Sequence, residues 1–190
     1  MGNVTWTNSL DPFPIARGAA FNTFTTAKDV SPLPLIASYG NELKIGTKIQ
    51  LEAAGEYSTT GTPTMRLGFA YGIPTAGGVL TTGVALAGSD LIATGTATAW
   101  GWHLNYFGVV TADGATGTLY GSGFIDLASS LVLGASKPIP ITAAARASTI
   151  DMTLKKTWHV FAEFGTSSAS NQVIVDYFNV KIENQGKPAQ

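Results

Sequence analysis

Few side chains in this 190-residue sequence have the type and spacing for chemistry. There are two histidines, His103 and His159, and each directly follows a tryptophan. Two imidazoles on neighbouring strands, with a carboxylate as third ligand, could hold a metal ion. In an alternating strand, however, each His faces away from its Trp, and nothing makes the two strands neighbours. Solvent-facing or hydrogen-bonded strand histidines are the favoured reading, so no metal and no other cofactor is expected. Asp113, Asp126, Asp151, Asp176, Glu163 and Glu183 are candidates for paired-carboxylate hydrolysis, which needs two carboxyls about 5–9 Å apart. They fall singly in turns or on strands, and the solvated reading is favoured.

A nucleophile is equally hard to place. The chain has no cysteine, which removes disulfides, thiolate zinc sites and a Cys nucleophile together. No G-x-S-x-G elbow occurs; Gly121-Ser122-Gly123 is too short and reads as a glycine-opened strand or bulge. There is no glycine-rich phosphate loop. The expectation is a protein that is not an enzyme, with catalytic, cofactor and metal residues all absent.

Composition bounds the partners. Charged residues are 12% of the chain, about half the usual share, against 45% hydrophobic. Eleven basic and twelve acidic residues leave a net charge of −1, which gives no electrostatic footprint for nucleic acid or anionic lipid. Lys155-Lys156 is the only basic doublet and is expected to decorate a turn. The stretches Leu67 to Ser89 and Leu91 to Ala112 carry no charge, but Gly, Thr, Pro74 and Asn105 punctuate them. Neither approaches the ~20 apolar residues of a spanning helix. The start, Met1-Gly2-Asn3-Val4-Thr5-Trp6, lacks the regions of a secretory signal. With so few charges, either Thr, Ser and Asn cover the surface or other chains do.

The elements that must position these residues are strands. From Ile45 onward the period is two. Ile49 and Leu51 alternate with Lys48, Gln50 and Glu52; Met65, Leu67, Phe69 and Tyr71 share one face; so do Trp100, Trp102, Leu104 and Tyr106. Trp158, Val160, Ala162 and Phe164 repeat the pattern, and Ile174, Phe178, Val180 and Ile182 close it. Gly- and Pro-containing turns separate the runs, and Asp113-Gly114 is a strong hairpin signal. Twenty-four threonines favour a pleated surface over helices. The one helical candidate is a turn around Asp151 to Lys156. Together these predict an all-β sandwich, jelly roll or barrel.

Residues 1–40 differ. Pro12, Pro14, Pro32 and Pro34 predict an extended arm, followed by a sandwich over 41–184 and a short tail over 185–190. Trp6, Phe13, Ile15, Phe21 and Phe24 make the arm too apolar for a free tail. It either folds across its own domain or crosses onto a neighbouring subunit, in which case these five residues are the candidate contacts.

Three segments carry a resemblance. Trp100 to Gly123 reads W-G-W-H-L-N-Y-F-G-V-V-T-A-D-G-A-T-G-T-L-Y-G-S-G. Thr149-Ile150-Asp151-Met152-Thr153 follows, and Trp158 to Phe164 leads into Gly165-Thr166-Ser167-Ser168-Ala169-Ser170-Asn171. Over roughly residues 60–183 this resembles a module of tailed-bacteriophage virion proteins. Met152 and Lys155-Lys156 depart from its usual small residues. The resemblance implies a jelly-roll-like antiparallel β-sandwich with no catalytic residues, in a virion assembled in the host cytoplasm. The favoured expectation is a capsid decoration protein that binds the major capsid protein as a homotrimer and stabilises the head. The alternative is a receptor- or carbohydrate-binding module on a tail tip or fibre. Neither involves nucleic acid or membrane.

Overall fold

A computed structural model describes residues 5–10, 20–32, 36–61, 63–72, 85–128, 134–140 and 142–185. Fourteen strands occur among them: β1 (Thr5–Leu10), β2 (Phe21–Asn22), β3 (Lys28–Asp29), β4 (Ile36–Ser38), β5 (Lys48–Thr59), β6 (Thr64–Gly72), β7 (Ala85–Gly88), β8 (Ile92–Ala93), β9 (Ala97–Ala112), β10 (Gly117–Ala128), β11 (Gly134–Ile139), β12 (Ala147–Ile150), β13 (Lys156–Phe164) and β14 (Gln172–Gln185). They form two antiparallel sheets packed as a sandwich. The larger runs β1-β14-β5-β9-β10-β11, with β2 also on β14 and β12 also on β10. The smaller runs β3-β13-β6-β7, with β4 also on β13 and β8 also on β6.

The period-two runs make the inner faces, except that a register shift between Val175 and Tyr177 in β14 buries Val173 and Val175 in place of Ile174. Ile49, Leu51 and Ala53 of β5, Leu104 and Tyr106 of β9, and Val180 and Ile182 of β14 point inward from the larger sheet and are buried. Met65, Leu67, Phe69 and Tyr71 of β6, with Trp158, Val160 and Phe164 of β13, face them from the smaller one. Phe69 and Phe178 stack across the gap at 6.0 Å between centroids, and Tyr71 lies 4.3 Å from Trp158. Each fully buried side chain of this size contributes about 1.5–3 kcal/mol of apolar burial.

The turns follow the glycines where backbone geometry requires it. β9 and β10 form the hairpin expected at Asp113-Gly114, with Gly114 in the left-handed region at φ +94°. Asn171, at the end of the Gly165–Asn171 motif, is buried and pins the crossover from β13 to β14. Its amide donates to the Thr166 carbonyl at 2.9 Å, and its carbonyl accepts from the Thr60 amide at 3.3 Å.

One expectation changes. The helical turn at 151–156 is instead an Asx turn: the Asp151 carboxylate accepts from both the backbone N–H and the hydroxyl of Thr153, at 2.9 and 2.6 Å. That local competition for backbone donors is why Asp leaves helix interiors. A 3-10 turn lies elsewhere, at Ala143–Arg146. For residues 1–40 the described parts follow the first of the two readings, an arm folded across its own domain. In their described parts, β1 and β2 pair with β14 while β3 and β4 pair with β13. The arm folds across its own domain and supplies edge strands to both sheets.

Among the described residues, the four sheet edges share one construction. Each is filled by two short strands end to end: β1 and β2 on β14, β11 and β12 on β10, β3 and β4 on β13, β7 and β8 on β6. Pro138 interrupts donation within β11. Short, broken edges resist strand addition by another chain.

Candidate functional site

The chemistry-bearing side chains do not converge. His103 and His159 lie on different sheets, and no group of three or more His, Asp or Glu side chains suited to a metal occurs among the described residues. The carboxylates are occupied singly. Asp113 reaches Lys44 at 3.8 Å, Glu163 pairs with Arg66, and Lys181 with Glu183 at 2.7 Å. The hydrogen bonds from Thr153 hold the Asp151 carboxyl below its ordinary range, and those from Lys181 do the same for Glu183. Lys155 stands over the Tyr39 ring and Lys156 over Tyr71, at 5.0 and 5.8 Å.

His159 comes nearest to a catalytic arrangement. Its Nδ1 lies 2.9 Å from Asp29 Oδ2, and its Nε2 lies 2.5 Å from Thr157 Oγ1. The order Asp–His–Thr matches a proton relay, but the hydroxyl of Thr157 already donates to the Gly72 carbonyl at 2.9 Å. His159 itself is fully buried, with both ring nitrogens engaged within the chain. The cluster is a clamp. Ser31 donates to Asp29 from both its backbone and its hydroxyl, and its oxygen accepts from the Val160 amide at 2.8 Å. Burial opposes ionisation of Asp29, yet the hydrogen bonds from His159 and Ser31 outweigh it and hold this carboxyl below the ordinary range. The N-terminal segment is thereby fixed to β13.

The surface feature that stands out is the outer face of the larger sheet. Inward Leu104, Tyr106 and Val110 put Phe107 outward; inward Leu119, Ile125 and Leu127 put Tyr120 and Phe124 outward. These rings are 53%, 45% and 38% exposed. The register places them in successive rows across β5, β9 and β10: Lys48, Val109, Tyr120; then Gln50, Phe107, Ser122; then Glu52, Asn105, Phe124. A fourth row holds Ala54, His103 and Asp126, with His103 3.1 Å from Glu52 and edge-on to Phe124 at 6.2 Å. The inner side explains why the rings stay outside. Gly121 and Gly123 let β10 lie directly against Tyr106 and the Asn105 backbone, where any Cβ would overlap them.

The residues singled out in the arm divide. Phe24 is 4% exposed and packs 5.3 Å from Phe164 in this chain's own core, so it is not available as a contact to a capsid or neighbour. Phe21, on β2, is half-buried against the same core. Trp6 lies on β1, but its side chain, like Phe13 and Ile15, is outside the described residues. Sequence reasoning missed Phe107, Tyr120 and Phe124 as a surface. The signal was present: each stands out of phase with an inward run.

No family model matches the chain, and no curated protein matches it. What the arrangement can do rests on its own geometry, and the feature it offers is a surface with three exposed rings.

Proposed function

We propose that this chain is a structural protein of a tailed-phage virion, a capsid decoration protein that binds the outer capsid surface as a homotrimer and stabilises the head. The observation that carries this is the exposed aromatic face on a sandwich whose described edges are short and broken. Such a face is suited to packing against protein. The all-β sandwich agrees with the fold that the resemblance implies, and a jelly-roll connectivity belongs to the same proposal. The major capsid protein and further copies of this chain are the partners. Low overall charge fits a surface with much of its area covered in the particle.

A second reading places the module at the tail, binding carbohydrate. Phe124 beside Asn105, His103 and Asp126 supports it, since sugars stack their apolar faces on rings and hydrogen-bond at the rim. Gel densitometry of purified particles separates the two. The decoration reading expects a copy number comparable to that of the major capsid protein. A handful of copies per particle overturns it and favours the tail.

A further inference from the structure

We propose that the hollow beside Phe124, at the end of the larger sheet where β9 begins and β10 meets β11, binds a neutral saccharide. Phe124 is the stacking platform, and His103, Asp126 and Ser136 are the hydrogen-bonding groups. The inference deepens the carbohydrate reading and rests on it for the ligand class, but not on where in a particle the chain sits.

The register builds the site. The row of Ala54, His103 and Asp126 continues to Ser136 of β11. Next along the strands come Gly101 opposite Glu56, and Ala128 opposite Gly134. A hollow of about 500 Å³ opens here, with Gly101, His103, Asp126, Ala128 and Ser136 in its lining. That volume lies in the range of small-molecule sites. The floor is low because Gly101 and Ala128 carry almost no side chain, and a Cβ at Gly101 would meet nothing. Just before it the backbone is strained. Ala99 is held in the left-handed region at φ +52°, where the β5–β9 register shifts, and its amide donates to the Ser58 hydroxyl at 3.0 Å. A non-glycine residue takes that conformation at a cost, and bulges of this kind re-aim the side chains that follow.

The charges in these rows narrow the ligand. Glu52 holds His103 at 3.1 Å, Glu56 stands opposite Gly101, and the Asp126 carboxylate makes no hydrogen bond or ion pair among the described residues. No Lys or Arg stands in these rows, and Lys137, beside Ser136, lines a different hollow with Asp90. An anionic ligand finds no counter-charge here. A compact cation is no better served, because no three His, Asp or Glu side chains converge among the described residues. The acceptors are spread out, so the ligand that meets them carries several donors on one ring-sized body. It also turns an apolar face to Phe124, 38% exposed. A pyranose has both, a C–H face for the ring and hydroxyls for the carboxylate, the imidazole and the Ser136 hydroxyl.

Asn105 adds an unmet demand. It stands between His103 and Phe107 on the same face of β9 and is nine-tenths buried, and its side-chain oxygen accepts no hydrogen bond among the described residues. Buried acceptors are almost always satisfied. A hydroxyl seated beside Phe124, its neighbour in the row, would supply the donor.

Saturation-transfer NMR and calorimetric titration of the isolated full chain test the site, with methyl glucoside, methyl galactoside, methyl mannoside and choline as probes. Wild type is expected to bind at least one glycoside and not choline. Phe124→Ala and Asp126→Asn should each weaken that binding by roughly tenfold or more, as expected for loss of one strong contact. Both side chains point outward, so the circular dichroism of these variants should match wild type. Tyr39→Ala, which removes an exposed ring at the opposite end of the sandwich, should leave binding unchanged. Glycoside binding that persists in both site variants keeps the carbohydrate reading and overturns this site. No binding of any glycoside, or binding of choline in their place, overturns both.

Discussion

His103 and His159 follow the same residue type in the same kind of strand, yet they have opposite fates. Both sit out of phase with an inward Trp, which the alternation made legible. Alternation assigns a face, but it does not show what lies over that face. His103 stays half-exposed beside Glu52, whereas His159 is sealed where Asp29 and Ser31 dock. Asp29 is 130 residues away in sequence, so no local pattern could link the two. Replacing Asp29 with Asn is expected to destabilise the fold by about 1–3 kcal/mol, since it removes a charge-assisted partner from a buried imidazole. The pH dependence has a definite sign. The folded-state carboxyl of Asp29 lies below its ordinary value. Its contribution is therefore complete above the unfolded value near pH 4 and is lost as pH falls through the lower folded value. Thermal melts should show a constant gap between wild type and Asp29→Asn above about pH 5, closing at more acidic pH. A gap that widens on acidification would contradict the clamp.

At the scale of elements, the long strands were readable and the short ones were not. β5, β6, β9, β10, β13 and β14 each carry a period-two run, and the hairpin at Asp113-Gly114 announced itself. The edge strands β2, β3, β4 and β8 have two or three residues each, too few to show any period. Four prolines made their neighbourhood look like an arm. The structure gives that segment core residues, Phe24 and Val30, and the Asp29 clamp. Truncation should therefore act in two steps. Removing residues 1–19 is expected to leave a cooperative melt, because β2, β3 and β4 remain. If Trp6, Phe13 and Ile15 latch onto a capsid, this protein no longer binds it. Removing residues 1–32 also strips Phe24 and Val30, which together bring about 3–6 kcal/mol of apolar burial. That loss is comparable to a domain's whole stability, so the longer truncation should melt without cooperativity. Equal melting behaviour of the two truncations would show that the segment is not part of the fold.

At the scale of the whole molecule, the low charge of the sequence takes on a place. Among the described residues, three exposed rings, Phe107, Tyr120 and Phe124, gather on one sheet face, while the other large exposed apolar side chains, Tyr39, Ile45, Leu91 and Leu154, sit in loops. The sequence could not show this gathering, because it depends on which strands are neighbours. Phe107 and Phe124 are 17 residues apart in the chain and in adjacent rows of the sheet. A face of this kind, on a sandwich whose described edges are short and broken, is suited to an assembled particle. Electron microscopy of virions that contain this chain, with the protein located by difference against particles lacking it, tests the account most directly. The account predicts repeated density on the outer surface of the head. Density confined to the tail tip, or no difference at the head, would contradict it.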